Sequence, residues 1–85
     1  MNERKRQENE RKFDQWESLS NVGRRYFYDV GSRRRGWKAR YIKDVNEEEE
    51  TVRFWQEIYN EHGKLVEIHQ KFPEDTGHQC LEDRS

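Results

Sequence analysis

The chain has 85 residues, 41% of them charged and 29% hydrophobic, with a formal net charge of −1. A length of this order allows one domain, and so thin an apolar fraction allows only a marginal core unless a partner or self-association helps. Full disorder is excluded in turn, because aromatic residues make up 13% of the chain and fall in alternating runs.

The charge is unevenly spread. Residues 1–45 carry 13 Lys/Arg and 7 Asp/Glu (+6), and residues 46–85 carry 4 and 11 (−7). Such a split fits nucleic-acid contact, head-to-tail association, or neighbouring strands that neutralise one another. The single cysteine, Cys80, permits no internal disulfide and no cysteine-based zinc site. No apolar run approaches the ~18 residues of a membrane span, and the first dozen residues are too charged for a secretory signal. The expected compartment is cytoplasmic.

In chain order, residues 2–20 read as a helix. Asn2 suits its N-cap, Glu8 and Lys12 stand in the favoured i,i+4 order, and Phe13, Trp16 and Leu19 form a stripe. Asn21-Val22-Gly23 closes it, with Gly23 suited to a left-handed C-terminal position. Residues 1–12 have no apolar residue after Met1 and read as a charged helical or frayed extension. The domain proper spans 13–73.

Four strands follow, at 24–30, 37–45, 51–59 and 64–72. The first two flank the glycine-bounded loop 31–36, whose Arg33, Arg34 and Arg35 make it the most basic point in the chain. Glu47–Glu50 form an exposed acidic turn. Asn60-Glu61-His62-Gly63 fits a type I turn with Gly63 in the left-handed bulge position. Pro73 ends the fourth strand, and residues 74–85 read as a flexible tail. The fold class is therefore α+β, an N-terminal helix packed on one face of a four-stranded antiparallel β-meander.

A register follows from the turns. It pairs Ala39 with Ile58, Arg40 with Glu57 and Asp44 with Arg53, and continues through Ile58–Val66 and Trp55–His69. Tyr28 meets Ala39 and Tyr26 meets Tyr41. It gathers Tyr26, Tyr28, Val30, Trp37, Ala39, Tyr41, Val45, Val52, Phe54, Ile58, Val66, Ile68 and Phe72 on the face that the helix covers.

The opposite face mixes Phe27, Ile42, Trp55, Tyr59 and Leu65 with charged side chains, a composition suited to recognition. The first expectation is a non-enzymatic interaction module that uses this open face or a sheet edge for association with a protein partner or a second copy of itself. Its binding surface comprises Phe27, Arg40, Ile42, Trp55 and Tyr59, with Arg33, Arg34 and Arg35.

Two alternatives stay open. Aromatics on a sheet stack bases and arginines meet phosphates, so a nucleic-acid-binding domain is one. The other is a small, toxin-like, metal-independent ribonuclease. The register sets Glu57 beside Glu67 with Arg40 and His69 near, a Glu/Arg/His set able to move protons and stabilise a phosphorane. No cofactor is implied. His62, His69 and His78, even with Glu61 or Glu67, lack the spacing of metal ligands, and Cys80 is too isolated to act as a nucleophile.

Overall fold

The computed structural model describes residues 2–80. One helix, α1 (Glu3–Lys12), precedes six strands: β1 (Gln15–Ser18), β2 (Arg24–Gly31), β3 (Lys38–Val45), β4 (Thr51–Tyr59), β5 (Leu65–Phe72) and β6 (Gly77–Cys80). The strands form one antiparallel sheet in the order β1-β2-β3-β4-β5-β6. The fold is α+β and a meander, with two more strands than the four expected.

Both additions lie where another structure was expected. The helix begins as the sequence suggests, with Asn2 accepting from the Lys5 amide at 3.1 Å and Glu3 in its first turn. It ends at Lys12, not at residue 20, and Phe13 is already extended. Residues 15–18 instead pair with β2, Trp16 opposite Tyr26 and Ser18 opposite Arg24. This pairing satisfies backbone groups that an edge strand β2 would leave open, a gain that outweighs weak helical propensity. Phe13 is consequently a plug under the C-terminal end of the helix rather than part of a stripe, and Trp16 lies 44% exposed. At the other end, Gly77–Cys80 of the supposed tail adds β6 to β5.

The turn between β1 and β2 also works differently. The left-handed position falls on Val22 (φ 61°). Gly23 serves close approach, because a Cβ there would stand 2.3 Å from the Val45 carbonyl oxygen. The turn between β4 and β5 is as expected: Gly63 has φ 76°, and the Asn60 amide donates to the Lys64 carbonyl at 2.9 Å.

Register decides which side chains meet. Between β3 and β4 the expected pairs Ala39–Ile58, Tyr41–Gln56, Arg40–Glu57 and Asp44–Arg53 all occur. Between β2 and β3 the ladder slides by two residues, so that Tyr28 meets Tyr41 and Tyr26 meets Lys43; the faces are unchanged. Between β4 and β5 the change is deeper. Tyr59 pairs with Leu65, but Ile58 then pairs with Glu67 and Phe54 with Phe72, leaving Val66 and Lys71 as extra residues. Glu67–Gln70 therefore sit on the faces opposite to those expected. Ile68 moves to the open face beside Glu57, and Glu67 and His69 move to the helix face.

The main core lies at one end of the helix face, where Phe13, Tyr26 and Val45 are buried with Tyr28 and Phe54 against them. Tyr28 stacks on Tyr41 with ring centroids 5.1 Å apart. The helix itself docks through polar contacts. Asn9 donates to Glu49 at 3.1 Å, Tyr26 donates to the same carboxylate oxygen at 2.8 Å, and Lys43 donates to Asn9 at 3.1 Å. Arg24 donates to Glu10 at 2.7 Å. Glu49 is thus only 7% exposed, a correction to the wholly solvated acidic turn, and it holds a left-handed backbone (φ 63°) to reach inward.

Candidate functional site

The open face carries the aromatic and arginine residues of the expected surface. Asp29 and Asp44 alternate with arginines from β2 and β3, and direct pairing brings each within reach. Arg40 donates to both Asp29 oxygens at 2.7 and 3.0 Å, and Arg25 to both Asp44 oxygens at 2.8 and 3.0 Å. These bidentate pairs hold the Asp29 carboxyl below its usual pKa, Arg40 being the main cause, and raise both guanidinium groups. The guanidinium planes also cover rings: Arg25 and Arg53 lie 5.3 and 4.1 Å from the Trp55 centroid, and Arg40 lies 5.1 Å from that of Phe27.

Glu57 accepts from the Trp55 indole at 3.0 Å and from the Tyr59 hydroxyl at 2.6 Å. Burial first, and this carboxylate second, push the Tyr59 phenol up to about 12. The depression between these side chains holds about 120 Å³. Ile42 and Trp55 are themselves buried beneath it. Phe27, Arg40, Ile42, Trp55 and Tyr59 do share one face, as expected. Most of their polar and aromatic capacity is spent on one another.

The proposed ribonuclease set does not assemble. Arg40 and Glu57 pair on the open face, whereas Glu67 and His69 stand on the helix face. The cause is the extra residue Val66, which reverses the following four positions.

A second locus appears on the helix face, beyond the end that α1 covers. Two rows of side chains cross the sheet there. One is Val30–Ala39–Ile58–Glu67–Cys80, and the next is Tyr28–Tyr41–Gln56–His69–His78. Rows two residues apart along a strand are separated by about 7 Å. A cleft of about 560 Å³ lies over the first row, between Ile58, Val66, Glu67 and Cys80 on the sheet and Ser32, Arg33, Arg34 and Trp37 of the β2–β3 connection.

The wall is built by that connection. The Ser32 amide donates to the Trp37 carbonyl at 3.1 Å and the Trp37 amide to the Arg34 carbonyl at 3.0 Å, so the loop folds back on itself. The Trp37 indole donates to Glu61, which helps lower the Glu61 carboxyl after the glutamate's own backbone amide. The Arg34 guanidinium lies 4.5 Å from the Trp37 ring centroid. Arg33 and Arg35 are exposed, and among the described residues neither is paired with a carboxylate. Arg33 and Arg34 thus line this cleft, away from the open face.

The row beside the cleft floor carries two histidines. His69 and His78 face each other across β5 and β6, their ring centroids 4.5 Å apart. The Nε2 of His69 lies 2.6 Å from Asp75, and the Nδ1 of His78 lies 2.9 Å from Glu67. The Asp75 carboxyl is held below its usual range, first by the Gly77 amide and then by His69. His69 Nδ1 and His78 Nε2 make no hydrogen bond with the described residues. No group of three or more His, Cys, Asp or Glu among the described residues is placed to hold a metal ion.

Sequence reasoning missed His78, Asp75 and the position of Trp37. Asp75-Thr76-Gly77 is a turn signal, and Asp75 does cap the Gly77 amide at 2.9 Å. A four-residue strand after that turn was too short to register by alternation. No protein family, no curated protein and no solved structure matches this chain. Among the described residues, no helix is long and apolar enough to cross a membrane.

Proposed function

We propose that the protein binds single-stranded RNA in the cleft between the β2–β3 connection and β5–β6. The observation that carries this reading is the Arg34–Trp37 stack at the edge of a cleft of about 560 Å³, with Arg33 in the same wall and Arg35 next in the loop, neither paired with a carboxylate among the described residues. A tryptophan face stacks any base at about 1–3 kcal/mol, and guanidinium groups not already neutralised are free to meet phosphates. The apolar floor of Ile58 and Val66 suits a base rather than a second phosphate. The net charge of −1 is no obstacle, because the carboxylates of the open face already neutralise the arginines there and the loop remains locally basic.

Association through the open face, with a protein or a second copy, draws less support. Its central apolar residues, Ile42 and Trp55, are 3% and 5% exposed, and Arg40 and Arg25 are bound to Asp29 and Asp44.

Anisotropy of a labelled single-stranded RNA, titrated with the full chain at several salt concentrations, tests the reading. Affinity should fall as salt rises. Trp37→Ala should weaken it about 5- to 100-fold, and Arg34→Ala should weaken it and flatten the salt dependence. Arg53→Ala, on the other face, should leave it unchanged. No binding at low salt, or equal loss from all three variants, would refute the assignment.

A further inference from the structure

We infer that His69 and His78 are a catalytic acid–base pair that cleaves the bound RNA by transesterification through its own 2′-hydroxyl; this rests on the RNA-binding reading above. Three features converge. The two imidazoles are adjacent, each ring is oriented by a carboxylate on one nitrogen, and the other nitrogen of each makes no hydrogen bond with the described residues. They also occupy the row next to the one that floors the cleft, about 7 Å from it along the strands. An RNA strand lying from Trp37 across that floor would bring a later phosphodiester to them.

The chemistry balances with no further reagent. One imidazole, neutral, takes the proton of the 2′-hydroxyl as the 2′-oxygen bonds to phosphorus. The other, protonated, gives its proton to the 5′-oxygen as the phosphorus–oxygen bond to that leaving group breaks. The products are a 2′,3′-cyclic phosphate and a free 5′-hydroxyl, and exchange of one proton with water restores the pair. Asp75 and Glu67 stabilise whichever ring carries the charge. Gln56 stands directly opposite His69, and Lys71, whose Nζ lies 5.3 Å from the Tyr41 centroid on the same face, supplies a cation for the phosphorane.

The arrangement differs from the set read from the sequence. His69 and Glu67 are retained from it, but Glu67 orients a histidine instead of exchanging protons itself. Arg40 and Glu57 have no part.

The test is an RNA oligonucleotide incubated with the full chain in the presence of a chelator, with binding and product ends measured together. Cleavage should yield 2′,3′-cyclic phosphate and 5′-hydroxyl termini, and an all-2′-deoxy oligonucleotide should be bound but not cut. His78→Ala, at an exposed position, should lower the rate at least about 100-fold and leave RNA affinity within twofold. His69→Gln should do the same, with its thermal unfolding checked against the parent. RNA that is bound yet uncut, cleavage of the deoxy strand, or full activity in both histidine variants would overturn the catalytic inference and leave the binding reading standing. Absence of both binding and cleavage would overturn the two together.

Discussion

Tyr26→Phe removes one oxygen from a fully buried residue and thereby tests how the helix is held. Tyr26 is 0% exposed, and its hydroxyl donates to Glu49 at 2.8 Å. Phenylalanine fills the same space, so no cavity forms and the loss is that of the hydroxyl's hydrogen bond to a buried carboxylate, together with a longer one that it accepts from Arg24 at 3.3 Å. Such bonds contribute about 1.5–3 kcal/mol, and a change of about 2 kcal/mol lowers Tm by roughly 8–16 °C in a domain of this size. The remaining donor to the same Glu49 oxygen is Asn9. Asn9→Ala alone should cost a similar amount, and the double variant should lose more than the two singles together, because the second substitution strips the carboxylate of its last side-chain donor. Urea unfolding of the four proteins, followed by circular dichroism, gives the coupling directly. If Tyr26→Phe lies within about 0.5 kcal/mol of the parent, or the two losses are simply additive, the polar network does not hold the helix as described.

Three further outcomes are expected. Gly23→Ala should destabilise by about 2–3 kcal/mol, since the new methyl would meet the Val45 carbonyl oxygen at 2.3 Å; a parent-like Tm would refute that close approach. Alkaline titration followed by phenolate absorbance should show Tyr59 ionising near 12, above its ordinary 10.0. With its folded pKa raised, Tyr59 contributes stability that is intact below pH 10 and is lost as pH rises towards 12, and Tyr59→Phe should shrink that loss. Asp29→Asn should cost less than about 1 kcal/mol at neutral pH, because the pair with Arg40 is partly exposed. As the Asp29 pKa is depressed from 3.8, that contribution belongs above pH 4 and fades as pH falls through the folded value; acid unfolding curves of the two proteins should converge.

Much of the sheet was legible because alternation and cross-strand charge agree in its middle. Arg40 opposite Glu57 and Asp44 opposite Arg53 fix β3 against β4 by a criterion the sequence carries openly. The site was less legible for three reasons. Leu65 and Val66 are both apolar, so nothing in the pattern marks Val66 as the extra residue that turns His69 to the other face. Phe13, Trp16 and Leu19 have helical spacing by coincidence, whereas the vacant edge of β2 decides the conformation of residues 15–18. The reach of Glu49 depends on a left-handed backbone that four consecutive glutamates do not announce.

The strict strand order has a consequence for local stability. Every strand hydrogen-bonds only with its neighbours in sequence, so the molecule is close to a one-dimensional ladder whose rungs open from the ends. α1 and its polar contacts brace β2, β3 and the turn before β4, whereas β6 is a four-residue outer rung. Amide exchange should therefore be slowest in β3 and β4 and fastest in β6. His78 rides on that outer rung, opposite His69. A ligand that spans from the arginine loop to His78 would bridge β3 to β6 and lock the ladder at its open end. Occupancy would then be readable as slowed exchange at Gly77–Cys80, far from any residue that the ligand stacks upon.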